Sequence, residues 1–121
     1  MPVAQSTVDA RRFTEGIKLF NSAEFFEAHE VLEDVWRAAP TADKNFLQGL
    51  IQAAVAFHHH STGNVTGTRS LLKRAQRNLS TYPDEFKGIH LEALLESLGR
   101  WQEALENGQP VPPLPRIRSR P

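Results

Sequence analysis

The chain has 121 residues, 40% of them apolar, which is about one domain's length with enough apolar material for a core. Fourteen basic residues balance fourteen acidic ones, so no global charge directs it to nucleic acid or to a membrane surface. The absence of cysteine excludes disulfides, thiol catalysis and Cys-based zinc or iron–sulfur centres, and it fits a reducing compartment, so the chain is read as cytoplasmic.

Helical periodicity dominates from the amino terminus onward. Residues 1–14 lack a basic region followed by an apolar one, and no run reaches the roughly 18 apolar residues of a membrane span, so neither a leader nor a span is expected. Ser6 is placed to cap a first helix with Asp9 in its first turn, and Phe13, Ile17 and Phe20 recur at helical spacing. Asn21-Ser22 ends that helix, and one of the two is expected to cap a second, which carries Glu24 in its first turn and stops before Pro40. Thr41 is expected to cap a third, over 46–60, in which Phe46, Leu47, Leu50, Ile51, Ala54, Phe57 and His58 form a wide apolar arc. That breadth predicts the central helix, with Gly63-Asn64 as its stop.

A fourth helix over 66–79 buries Leu71, Leu72, Ala75 and Leu79, and Tyr82-Pro83-Asp84 breaks it. A fifth over 91–105 keeps Leu91, Leu94, Leu95, Leu98, Trp101 and Leu105 on one stripe, closed by Gly108 and Pro110. No segment alternates as a strand. The proline- and arginine-rich tail, 110–121, cannot be helical and is expected to be extended, either docked or loose. The prediction is an all-α fold: a single compact bundle of about five antiparallel helices over residues 1–109, because the connections are short, followed by the tail.

The second helix concentrates the chemistry. At about 100° per residue, Phe25, Phe26, His29, Leu32, Glu33 and Trp36 fall within roughly 120°, which predicts that His29 and Glu33 ride the apolar face. An imidazole and a carboxylate so placed must be paired, hydrogen-bonded or metal-bound, since leaving either bare costs several kcal/mol. On the third helix Gln48, Gln52 and His59 align within about 40°. If that stripe faces the first, His29, Glu30, Glu33, Trp36, Gln48, Gln52 and His59 enclose one ligand pocket, with Trp36 as a wall and Gly49 admitting a neighbouring backbone.

His29, Glu33 and His59 are candidate ligands for a divalent transition metal, with Glu30 as candidate base for a hydrolysis. His29-Glu30-Val31-Leu32-Glu33 resembles the zincin helix His-Glu-x-x-His but puts Glu33 where the second histidine would bind. There is no Glu-x-x-His for a di-iron centre, no nucleophile-elbow serine and no phosphate-loop lysine. The alternative is a non-catalytic scaffold or protein-interaction module whose His/Glu network is structural. Arg69, Lys73, Arg74 and Arg77 make a basic helix, and Arg116, Arg118 and Arg120 a basic tail, but aromatic interleaving is missing and the acidic second helix offers internal complementarity. A small molecule or a partner protein is therefore the expected partner, not nucleic acid.

The order Leu19-Phe20-Asn21, then Phe25-Phe26-Glu27-Ala28-His29-Glu30-Val31-Leu32-Glu33-Asp34-Val35-Trp36-Arg37, then Phe46-Leu47-Gln48-Gly49-Leu50-Ile51-Gln52-Ala53-Ala54, then Gly63-Asn64 resembles the bacterial and archaeal family called domain of unknown function 309, from Phe13 to Leu98. The resemblance implies a small helical bundle whose signatures are the segments Glu27 to Glu30 and Leu47 to Gln52, and it implies no activity. The chain departs from it at Ala23, where glycine is expected in relatives, and at His58, His59 and His60, where relatives vary.

Overall fold

The computed structural model describes the backbone of residues 2–119 and the side chains of residues 10–119. The helices are α1 (Pro2–Asn21), α2 (Phe25–Ala38), α3 (Thr41–Ser61), α4 (Val65–Leu79) and α5 (Leu91–Glu106), and each packs on the next, as the short connections require. α3 is the central helix: Phe46, Leu47, Leu50, Ile51, Ala53, Ala54, Ala56 and Phe57 are all buried, because α2 and α4 cover it from two sides. Its aromatic residues join two clusters. Phe57 stacks edge-on against Phe20 and Trp101, and Phe46 meets Phe13, Tyr82 and Phe86.

One expectation of the sequence fails between α4 and α5. A two-stranded antiparallel hairpin, β1 (Glu85–Phe86) and β2 (Ile89–His90), pairs Phe86 with Ile89 across a two-residue loop. Strands of two residues are too short to display an alternation, so periodicity is blind to them. The loop residues Lys87 and Gly88 have φ of 49° and 76°, the left-handed pair of a type I′ turn.

The helix ends follow one device. At the end of α1 the Glu24 N–H donates to the Leu19 carbonyl and the Ala23 N–H to the Phe20 carbonyl, the paired bonds of a Schellman cap. α3 ends the same way, with Gly63 at φ 84° in the left-handed position, as its Gly63-Asn64 stop predicts. Ala23 holds that position in α1 at φ 62°, which explains physically why glycine is expected there. Ala23→Gly is expected to raise stability by about 1 kcal/mol, since it relieves the left-handed alanine at a cost in unfolded-chain entropy that is smaller. Urea unfolding of the two proteins measures this, and a variant less stable than the parent refutes it.

The caps at the other ends differ from expectation. Glu24, not Asn21 or Ser22, precedes α2, and no side chain caps it. Asn21 is committed elsewhere: its Nδ2 donates to the Ile117 carbonyl and its Oδ1 accepts from the Ile117 N–H. Thr41 opens α3 as its first residue, preceded by Pro40, again with no side-chain cap. α1 is already helical at Ser6, and the hydroxyl expected to cap it lies outside the described side chains. Asn64 caps α4, its side chain accepting from the Gly67 N–H at 2.9 Å.

The tail docks. Ile117 is buried, Ile89 forms a bridge with Ser119, the His90 N–H donates to the Arg118 carbonyl, and Trp101 Nε1 donates to the Pro113 carbonyl at 3.0 Å. An extended strip without a helical period thus closes over α5 and the hairpin.

Candidate functional site

The buried stripe of α2 is Phe25, Ala28, Val31, Leu32 and Val35. The helix is therefore rotated from the expected face, and Phe26, His29 and Glu33 lie along its edge. α1 and α3 grip α2 from two sides, so small residues such as Ala28 are swallowed by the contact while the bulky Phe26 is left 47% exposed. Weighting by side-chain size hides such a stripe.

His29 and Glu33 do come together, Nε2 to Oε1 at 3.5 Å, with side chains 20% and 43% exposed. The pair is solvated, and a pair of this kind contributes about 0–1 kcal/mol rather than the several expected of a buried one. His29 Nδ1 is 2.9 Å from the Phe26 carbonyl, and the Phe26 ring lies between those of His29 and His58. Glu30 is exposed.

The glutamine stripe looks the other way. Gln52 accepts from Asn78 Nδ2 of α4 at 2.8 Å, and His59 Nδ1 sits 3.4 Å from Asn64 Nδ2 at the start of α4. Gln48 is half-buried on the same stripe. The expected two-helix pocket is thus split between the α2 edge and the α3–α4 seam. Trp36 belongs to neither: the Lys44 ammonium lies over its ring at 4.1 Å and donates to its carbonyl. The three candidate metal ligands, His29, Glu33 and His59, do not converge, and no three His, Asp or Glu side chains among the described residues form a group able to hold a metal. The three histidines at the end of α3 face different neighbours, His58 toward Phe26, His59 toward Asn64 and His60 toward Trp101.

A concave site forms instead where α1, α2, the start of α3 and the hairpin meet. Ala10, Phe13, Val35, Ala39, Pro40 and Leu47 line a cleft of about 420 Å³, and Asp43 and Lys87 stand at it as its polar groups. Pro40 ends α2 and releases the wall between α2 and α3, while Phe13 and Leu47 present the inner edges of α1 and α3. Asp43 lies in the first turn of α3, where the helix dipole favours a carboxylate, and Lys87 Nζ reaches it at 2.8 Å. The Asp43 side chain is 13% exposed and that of Lys87 44%, and an ammonium paired with one carboxylate oxygen has further donors. Lys87 makes this pair from a left-handed turn position that Asn, Asp or Gly would occupy with less strain.

Sequence reasoning missed this site. Phe13, Val35 and Leu47 read as ordinary core positions, and nothing in the chain ties Asp43 to a residue 44 positions later. The one legible signal is Lys87-Gly88, a glycine-containing dipeptide between the apolar Phe86 and Ile89.

The surface charges also pair differently from expectation. Asp34 of α2 binds Arg12 of α1 and Arg37 of its own helix, and Lys73 of the basic α4 lies 3.9 Å from Glu106 of α5. The acidic α2 therefore does not neutralise α4. Among the described residues no helix is long and apolar enough to cross a membrane.

Residues 13–71 match the model of a family described as Domain of unknown function (DUF309). The chain is similar to an uncharacterized protein of Aquifex aeolicus (strain VF5), 32% identical over 103 residues, covering 84% of this chain and 31% of that one. It is also similar to the uncharacterized protein YpuF of Bacillus subtilis (strain 168), 30% identical over 93 residues, covering 74% of this chain and 53% of the relative. The match thus spans less than two thirds of either relative's length.

Proposed function

We propose that this chain, which carries a DUF309 domain, binds a small amphipathic molecule in the cleft between α1, α2 and the hairpin. The single observation that carries the reading is an apolar cleft of ligand size with one ion pair, Asp43–Lys87, at its wall. Pockets of a few hundred Å³ with apolar walls and a few convergent polar groups are the usual form of small-molecule sites. Phe13, Val35, Ala39 and Leu47 would cover the apolar body of the ligand, and the remaining donors of Lys87 would take an acceptor head such as a carboxylate or sulfonate. Asp43 holds the ammonium in place. Among the described residues Asp43 and Lys87 are the ionisable side chains at the cleft, and what is proposed for them is recognition of a ligand.

The probe is 1-anilinonaphthalene-8-sulfonate, whose apolar rings and anionic head match that chemistry. It is expected to bind saturably to the folded protein with a rise in fluorescence. Lys87→Asn should weaken binding roughly tenfold by removing a charged donor. The same change suits the left-handed turn, which offsets part of the loss of Asp43's partner, so the variant should stay folded and its binding can be compared with that of wild type. Ala39→Trp should fill the cleft and abolish the signal. Undiminished binding in both variants, or a loss that merely follows unfolding, sinks the proposal.

A further inference from the structure

A second concavity lies between α5 and the docked tail, and it shares no residue with the cleft above. It measures about 470 Å³, and three guanidinium side chains line it: Arg100 of α5, with Arg116 and Arg118 of the tail. Ser97 and Trp101 add to its α5 wall, and among the described residues Glu96 is its one carboxylate. None of the three arginine side chains has an ion-pair or hydrogen-bond partner among the described residues.

Their placement follows from how the tail is held. Ile117 is 2% exposed and both its backbone polar groups are bonded to the Asn21 amide, which pins the chain at that residue. In extended backbone the residues on either side of a buried one share the opposite face. Arg116 and Arg118 are thereby delivered together to the groove, and the Trp101–Pro113 hydrogen bond fixes the tail's other end. Inside the groove three guanidinium groups face Glu96, while Arg118 also borders a neighbouring concavity with Asp84, Glu85 and Glu92, and Arg100 one with Glu103, so the positive character is confined to the groove itself. Guanidinium forks match the paired oxygens of phosphate, and a groove of this volume suits a small molecule rather than a strand of nucleic acid.

We infer that the groove between α5 and the tail binds a phosphate-bearing small molecule through Arg100, Arg116 and Arg118. The test is calorimetric titration with inorganic pyrophosphate, against sodium chloride at matched ionic strength. Wild type should give saturable heat beyond the chloride control. Arg100→Gln, Arg116→Gln and Arg118→Gln should each weaken binding about tenfold, as loss of a charge-assisted contact predicts. Arg74→Gln, an exposed position on α4, should bind as wild type does. Asn21→Ala, which removes no charge but frees the tail at Ile117, should also weaken binding, with the helical circular dichroism signal retained. The inference is overturned by heat no greater than chloride's, by an Arg74→Gln loss equal to the groove variants', or by a single-stranded oligonucleotide that binds more tightly than pyrophosphate at the same salt.

Discussion

Trp101→Ala is expected to destabilise the fold by about 3–5 kcal/mol, the usual cost of removing a large buried aromatic side chain. Trp101 is 2% exposed. Its ring packs edge-on against Phe57 at 5.0 Å and against His60 at 4.9 Å, so the deletion opens a cavity between the central helix and α5. It also removes the donor to the Pro113 carbonyl, which holds the tail over α5. Two measurements follow. Urea unfolding should show a lower midpoint, and trypsin should cut after Arg116 faster than in wild type under native conditions, because the tail has lost an anchor. Trp101→Phe separates the contributions: it keeps most of the ring packing, and the loss of the one hydrogen bond should cost about 1 kcal/mol. A Trp101→Ala protein as stable as wild type, with an equally resistant tail, would mean that Trp101 is not the keystone of this contact.

The helices and their order are legible in the sequence because long amphipathic periods survive almost any tertiary arrangement. Leu91, Leu94, Leu98 and Trp101 are buried as their spacing predicts, and so are Phe46, Leu50 and Phe57 of the central helix. Rotation of a helix about its axis is harder to read. α2 carries apolar residues on more than one side, and which side is buried depends on the partners that grip it, so Ala28 and Val31 won over Phe26. Caps fail for a similar reason: a polar residue such as Asn21 has several uses, and a tail 96 positions away claimed its amide.

The candidate site was less legible still. The expected convergence of His29, Glu33, Gln52 and His59 assumed that two polar stripes face each other across the α2–α3 contact. α3 is the central helix and touches two neighbours, so its polar stripe had a second direction to face, and Gln52 and His59 turn to Asn78 and Asn64 of α4. The Asp43–Lys87 pair joins a helix start to a hairpin turn, and the Arg100, Arg116 and Arg118 groove joins a helix to an extended tail. Both are contacts between irregular and regular segments, for which a sequence carries no period. The basic tail was visible as composition, but which arginines act together depended on the burial of Ile117.

Gly49→Val tests a close approach between α3 and α4, and a loss of about 3 kcal/mol is expected, at the upper end of overpacking costs. Gly49 lies on α3 at the seam with α4. A Cβ there would stand 2.6 Å from Leu79 Cγ, 2.7 Å from Leu79 Cδ2 and 3.3 Å from the Ala75 carbonyl oxygen. Leu79 is fully buried and cannot swing away, and the carbonyl belongs to the backbone of α4, so relief requires the two helices to separate. Separation would also strain the Asn78–Gln52 hydrogen bond on the same seam. Helix propensity works in the opposite direction, since a mid-helix glycine costs up to about 1 kcal/mol relative to alanine. Gly99 of α5 supplies the control: a Cβ there meets only the Gln76 Oε1, at an ordinary 3.6 Å. Gly99→Ala should therefore stabilise by about 1 kcal/mol while Gly49→Val destabilises, and thermal melts of the two variants read both signs. If both substitutions stabilise, the α3–α4 seam is looser than its geometry, and the glycine at position 49 is not what lets the two helices meet.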